Sequence, residues 1–510
     1  MQRKLLLLLA AALTALVLAP LSSTAVGTDT TALRNAVTVA GVMEHEAALQ
    51  AIADANGGTR ASGTPGYAAS VDYVADLLTG AGYDVTVQNF TYDQFVLNSS
   101  AFERVSPDPK AYAEGLDAEY SPMDYSGAGD FTAPLALAGG ITIPAPGGAT
   151  SGCSAADFVG FPAGAIALVQ RGTCTFRLKA ENAQAAGAVA VVIFNEGNDD
   201  PNDDRLGVIA GTLDPPQMSL PVIGTSFAVG EELYNRVTSG QAVTVRVAVD
   251  AETITTATAN VLADTPTGRA DRTVLVGAHL DSVDEGPGIN DNGSGTSTIL
   301  ETALQMAELE IEPVNRVRFA FWGAEEDGLI GSQHYVDSLA KRDLKDIMLN
   351  LNFDMVGSPN FVRFVYDGDG SAFGVDGPSG SGRIESVFAD YFSSLGLATE
   401  PTEFDGRSDY DAFINAGIPA GGLFTGAEGI KTPEQAAVYG GTAGIAYDPC
   451  YHQACDTIAN VSTLAIDQMS DAIAHSTLTF ALTKSSVNGT DKASNTAKEK
   501  MAYHGSRLER

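Results

Sequence analysis

Histidines and carboxylates are the residues of this chain whose placement points to shared chemistry. Six histidines occur in 510 residues. Two of them stand apart. His279 follows the apolar run Thr273–Gly277, in Ala278-His279-Leu280-Asp281, and the carboxyl end of a strand in an open sheet is where ligand crevices form. His452 lies between two cysteines, in Cys450-Tyr451-His452-Gln453-Ala454-Cys455. His45, His334, His475 and His504 read as ordinary surface or core residues. Acids take matching positions: Asp291 in the polar turn Asn290–Gly295, Glu325 and Glu326 after the run Val317–Trp322, and Asp354 after Met348–Phe353. Imidazole and carboxylate ligands without thiolate suit Zn2+, with Co2+ or Mn2+ able to substitute. Carboxylates gathered in one crevice repel one another unless cations neutralise them. Two metals sharing a bridging carboxylate would do this, and would clamp the attacking and departing oxygens of a hydrolysis.

The elements that must position these residues follow from periodicity. Beyond Asn260 strands and helices alternate as in a doubly wound, mostly parallel α/β sheet. Strands are expected at Thr273–Gly277, Val317–Trp322, Met348–Phe353 and Ala420–Phe424. Helices are expected at Gly295–Leu309, Gly331–Leu339, Ile384–Leu395 and Leu464–Leu482. Near the start, Val42–Ala55 and Tyr67–Leu78 have helical spacing and Asp84–Phe90 alternates like a strand. From Asp93 to Pro146 the pattern weakens. A second unit then appears, with a strand Ala165–Gln170, a helix Phe176–Ala186, a strand Ala188–Phe194 and a strand Ala242–Val249. The expected division is 1–25 as an export signal, 26–92 and 257–483 as two parts of one domain, 93–256 as an insertion, and 484–510 as a polar, disordered or processed tail.

The motifs Gly277-Ala-His-Leu-Asp-Ser, Gly288-Ile-Asn-Asp-Asn-Gly-Ser-Gly, Phe321-Trp-Gly-Ala-Glu-Glu, Asn352-Phe-Asp-Met and Cys450-Tyr-His-Gln-Ala-Cys-Asp carry a resemblance. They resemble peptidase family M28, co-catalytic zinc peptidases with a bridging aspartate, and within it the secreted bacterial leucine-type aminopeptidases. The resemblance spans Val42–Phe90 and Asn260–Leu482. It implies an α/β/α sandwich holding two zinc ions bridged by Asp291, with His279 and Glu326 on one ion and Asp354 and His452 on the other. It makes Glu325 the general base, Asp281 the partner of the His279 imidazole, and Tyr451 the donor to the oxyanion. It also implies a cis peptide after Asp291. The substrate ammonium would meet Glu325, Asp354 and the carbonyl of Arg407, beside an apolar pocket of Met355 and Phe424 for the first side chain. Ser408-Asp409-Tyr410 departs from the family's Ser-Asp-His, which leaves the role of that His in doubt. Asp467 and Asp471 match calcium ligands of a relative, with Ala36 where a third ligand would stand. The middle unit resembles the protease-associated (PA) domain, a mainly β or α+β insertion, through Ile166–Lys179 and Ala183–Phe194.

Bulk properties narrow the partners. Sixty-three acidic against 29 basic groups give a net charge of −34, which disfavours nucleic acid and anionic membranes. Arg3, Lys4, the apolar run Leu5–Leu18 and Ser23-Thr24-Ala25 describe a cleaved export signal, the alternative being a membrane anchor. No later stretch reaches the ~18 apolar residues of a spanning helix. The four cysteines pair most simply as Cys153 with Cys174 and Cys450 with Cys455, fitting an oxidising compartment. The expectation is therefore a secreted, monomeric aminopeptidase acting on peptide N-termini. The alternatives are a carboxypeptidase of related fold, a one-zinc glutaminyl cyclase or a non-catalytic PA-containing binding protein. Neither Gly-x-Ser-x-Gly nor His-Glu-x-x-His occurs, which disfavours a serine hydrolase and a helix-borne zinc site.

Overall fold

A computed structural model describes residues 28–484 and residue 487, apart from 116–117, 145–147, 201–202 and 210. The expected signal 1–25 and nearly all of the tail lie outside the described residues. Among the described residues, no helix is long and apolar enough to cross a membrane.

The sheet that carries the site is built from apolar runs with both faces covered. Every residue of Ile347–Phe353 is buried, the signature of a parallel strand between helix layers. It pairs in parallel with Arg269–His279 and with Ala420–Phe424. Arg269–His279 pairs in parallel with Asn315–Trp322. Helices Val39–Ala55, Pro65–Gly80, Gly295–Glu308, Ser381–Ser394 and Thr463–Leu482 cover one face, where Val42, Leu49, Val74, Ile299, Phe388, Ile466 and Ile473 share a core with Val276, Phe319 and Leu351. The second face packs Leu275 and Trp322 against Tyr335 and Val336 of Ile330–Ser338 and Phe413 of Tyr410–Asn415. The result is the expected α/β/α sandwich. Helix starts follow local chemistry: Thr64 accepts the N–H of Tyr67 and Pro65 opens the helix, the place where a missing N–H does least harm.

The region read as patternless differs from expectation. The strand Asp84–Ser106 runs on well past Phe90 and pairs along its whole length with Thr244–Asp264, from Asp84 opposite Asp264 to Ser106 opposite Thr244. Thr244–Asp264 also pairs with Asn315–Trp322 and with Gly129–Leu137. One ribbon therefore leaves the peptidase sheet and enters the second unit, and the expected boundaries fall within it, where Tyr92 faces Thr256. The second unit has its own cores. Gly129–Leu137, Ile166–Gln170, Ala190–Phe194 and Val222–Thr225 pair in parallel, with helices Phe176–Ala185 and Phe227–Thr238. Cys153–Cys174 and Cys450–Cys455 form the two disulfides.

Candidate active site

Three neighbouring parallel strands end together and present the candidate ligands. His279 is the last residue of its strand. Glu325 and Glu326 follow the strand ending at Trp322, and Asp354 follows the strand ending at Phe353. Asp291 reaches the same place from the turn before the helix Gly295–Glu308, and its peptide bond to Asn292 is cis. His452 arrives in the small ring closed by Cys450–Cys455.

These side chains converge. His279 Nε2 lies 3.2 Å from Asp291 Oδ1 and 3.3 Å from Asp354 Oδ1. His452 Nε2 lies 3.3 Å from Asp291 Oδ2 and 3.1 Å from Glu326 Oε2. Two sets, His279–Asp291–Asp354 and Asp291–Glu326–His452, each offer ligand atoms within 4.8 Å of one another and share Asp291. This corrects the expected pairing of ligands: His279 goes with Asp354, and Glu326 with His452. The two oxygens of Asp291 face different sets, and sequence spacing does not encode which oxygen each neighbour meets.

The donors fit metal. Two imidazole nitrogens face carboxylate oxygens across gaps of a size that a divalent cation fills. Glu326 Oε1 is buried without a hydrogen-bond partner, an expensive state unless a cation meets it. Glu325 is buried, with one oxygen 3.9 Å from His279 Nε2. Burial raises its pKa well above the ordinary carboxylate value; the charge of His279 opposes the rise and Asp354 adds to it.

Supporting contacts set the frame. Asp281 accepts the N–H of Glu325 at 3.3 Å and that of Glu326 at 3.2 Å. His279 Nδ1 is 3.3 Å from the Asp281 carbonyl and 3.7 Å from its carboxylate, so Asp281 fixes the Glu325-Glu326 backbone as well as flanking the imidazole. Ser408 donates to Asp354 at 2.6 Å. Tyr92 and Gln94, from the ribbon, hold Asp327 beside Glu326.

A cavity opens over the acids, lined by Met355, Tyr366, Phe424, Arg407 and Tyr451 among others. Tyr451 stacks on His452 with ring centroids 3.8 Å apart. Tyr410 donates to Asp405 at 2.7 Å and accepts the N–H of Gly406 at 2.9 Å. It thereby braces the loop that carries Arg407.

Sequence reasoning missed Asp456. Its oxygens accept the N–H groups of Asn290 at 3.0 Å and Asp291 at 2.9 Å, tying the residue shared by the two sets to the end of the His452 ring. Its place in the Cys450 motif was the only signal. At the position matched to a relative's calcium ligands, Asp471 lies 3.6 Å from Arg34 Nη1 and accepts from Tyr391 at 3.2 Å.

Fold and site together define a peptidase. The chain belongs to peptidase family M28, whose family description matches residues 260–477, with a PA domain matched at residues 131–233. An aminopeptidase of Pseudomonas aeruginosa is 50% identical over 436 residues, covering 85% of this chain and 79% of the relative. Leucine aminopeptidase 2 of Trichophyton equinum is 41% identical over 454 residues, covering 88% and 85%. Among solved structures, an aminopeptidase from Aneurinibacillus sp. strain AM-1 superposes with a TM-score of 0.69 at 27% identity, covering 88% of this chain and 95% of its own. A zinc aminopeptidase from Bacillus subtilis gives 0.57 at 26%, covering 86% and 94%. The protein is an aminopeptidase of this family.

Proposed function

We propose that this aminopeptidase is exported and removes single residues, apolar ones such as leucine first, from peptide N-termini, using two zinc ions. The observation that carries the reading is the pair of ligand sets sharing Asp291, with the Glu325 carboxylate beside them. Zinc bound there supplies Lewis-acid activation of the scissile carbonyl and of an attacking water. Glu325 takes the proton of that water and delivers it to the leaving amine. Tyr451 donates to the oxyanion. Glu325, Asp354 and the carbonyl of Arg407 receive the substrate ammonium, which restricts cleavage to the first bond. Met355 and Phe424 line the cavity for the first side chain. Export is supported by Arg3, Lys4 and the apolar run Leu5–Leu18.

The test compares leucine p-nitroanilide with its N-acetyl form on purified protein whose zinc content is measured. Cleavage of the free amine alone, with two zinc ions per chain and loss of activity in EDTA, is expected. Equal cleavage of both substrates would remove the ammonium site, and full activity in excess chelator would remove the metal.

A further inference from the structure

Between His279 and Asp291 the chain runs through Leu280–Gly288, which forms neither helix nor strand and is buried at both ends. Buried carbonyls require donors, and one side chain supplies them at both ends of this loop. Arg60, with none of its surface exposed, donates from Nη1 to the carbonyl of Leu280. Its Nε reaches the carbonyl of Pro287 at 2.9 Å and its Nη2 that of Gly288 at 2.6 Å. Its backbone N–H donates to Ser282 Oγ at 2.9 Å, and that hydroxyl in turn lies 2.9 Å from the carbonyl of Gly286. The loop closes tightly on this clasp: Gly288 has φ +60°, and a Cβ there would meet Ser282 Cβ at 2.5 Å.

The guanidinium points these hydrogen bonds at carbonyls, so its charge sits among the acids without occupying a ligand oxygen through them. Burial draws its pKa down to about 10, and the charges of Asp281, Asp456, Asp291 and Glu326 act against that fall; the group stays cationic at neutral pH. A lysine would keep the charge but lacks the planar fork whose three nitrogens meet the carbonyls of Leu280, Pro287 and Gly288.

Resting on the two-zinc reading above, we propose that Arg60 is a positioning residue of the metal centre: by clasping Leu280 to Pro287 and Gly288 it fixes His279 relative to Asp291 before any ion binds. The N-terminal segment thus contributes to the site without touching substrate or metal.

The test uses metal-stripped full-length protein and Zn2+ alone. Zinc rebinding to wild type, Arg60→Lys and Ser282→Ala is measured in competition with a chromophoric chelator, beside the urea midpoint of each apo form. Arg60→Lys is expected to bind zinc about ten- to a hundredfold more weakly, the range for losing a partner that orients ligands. Ser282→Ala should shift in the same direction and by less. Unchanged zinc affinity in Arg60→Lys, with only the urea midpoint lowered, would overturn the proposal, because Arg60 would then be scaffold alone. Should Arg60→Lys fail to fold, Ser282→Ala decides: weaker zinc binding supports the clasp, and unchanged affinity overturns it. A wild type that binds no zinc would overturn the two-zinc reading itself, an outcome distinguishable because no variant enters it.

Discussion

Arg407 Nη2 donates to the phenol oxygen of Tyr451 at 3.2 Å, while Nη1 of the same guanidinium bonds Glu428 at 2.9 Å. An oxygen that accepts from Arg407 has its own hydrogen turned elsewhere, and Tyr451 lines the cavity. Tyr451→Phe is expected to lower kcat on leucine p-nitroanilide by about 10²- to 10³-fold, the worth of one oxyanion donor, with KM changed far less. Arg407→Met should give a smaller loss of the same kind. Steady-state kinetics decide it: a rise in KM at constant kcat would take the oxyanion role from Tyr451.

Glu325 and Asp291 should fail in different ways. Glu325→Gln keeps the ligands and is expected to retain zinc while kcat falls by about 10²- to 10⁴-fold, the usual contribution of a positioned base. Asp291→Ala removes the carboxylate shared by both ligand sets and is expected to lose metal on dialysis. Zinc analysis beside kinetics separates them, and full metal content in Asp291→Ala would contradict the bridge.

The disulfides should separate activity from stability. Cys450 and Cys455 are 5 positions apart and Cys153 and Cys174 are 21 apart. Loop-closure entropy assigns about 2 kcal/mol to the smaller ring and about 3 kcal/mol to the larger. The smaller ring carries Tyr451 and His452, so replacing both of its cysteines by Ser should reduce kcat and zinc retention more than melting temperature. The Cys153–Cys174 double variant should do the reverse. A smaller ring that proves thermally critical but kinetically silent would show that its purpose is scaffold.

His475 provides a pH test. Its Nδ1 lies 2.8 Å from Thr30 Oγ1, and Tyr391 stacks on the ring at 4.6 Å. Burial first, then the charge of Arg34, push its pKa from 6.5 down to about 4. The unfolded chain therefore takes up this proton at a higher pH than the fold does. The contribution to stability is full above 6.5 and is lost as pH falls toward 4. His475→Gln should flatten that decline, measured as urea midpoints at about pH 7.5 and about pH 5. Parallel declines in variant and wild type would assign the acid sensitivity to other groups.

Much of the peptidase sheet could be read directly, and the reasons are local. Ala420–Phe424 is an almost wholly buried run, and such a run looks the same in sequence as in the fold. Asp84–Ser106 was legible only to Phe90, because residues 93–101 are half-buried or exposed on both faces and the register shift between Leu97 and Ser99 changes the phase of alternation. The kinds of residue gathered at the strand ends were visible for the same local reason. Their pairing was not, since it depends on how the two oxygens of Asp291 are turned. Asp456 was hidden more deeply: its bond to the N–H of Asp291 spans 165 positions, and no periodicity reports a contact at that range.

The long ribbon has a consequence for how the chain comes into being. Arg60 and Leu280 are 220 positions apart, and Asp84–Ser106 finds its partner only when Thr244–Asp264 has been made. At ribosomal rates of about 5–20 residues per second, the first helices wait roughly 10 to 40 s for the strands they cover. Meanwhile the intervening residues can assemble cores of their own. His452 and the closing helix Thr463–Leu482 come last among the described elements. A nascent chain therefore lacks one member of the His279, Asp291, Glu326, Asp354 and His452 cluster until residue 452 has been made.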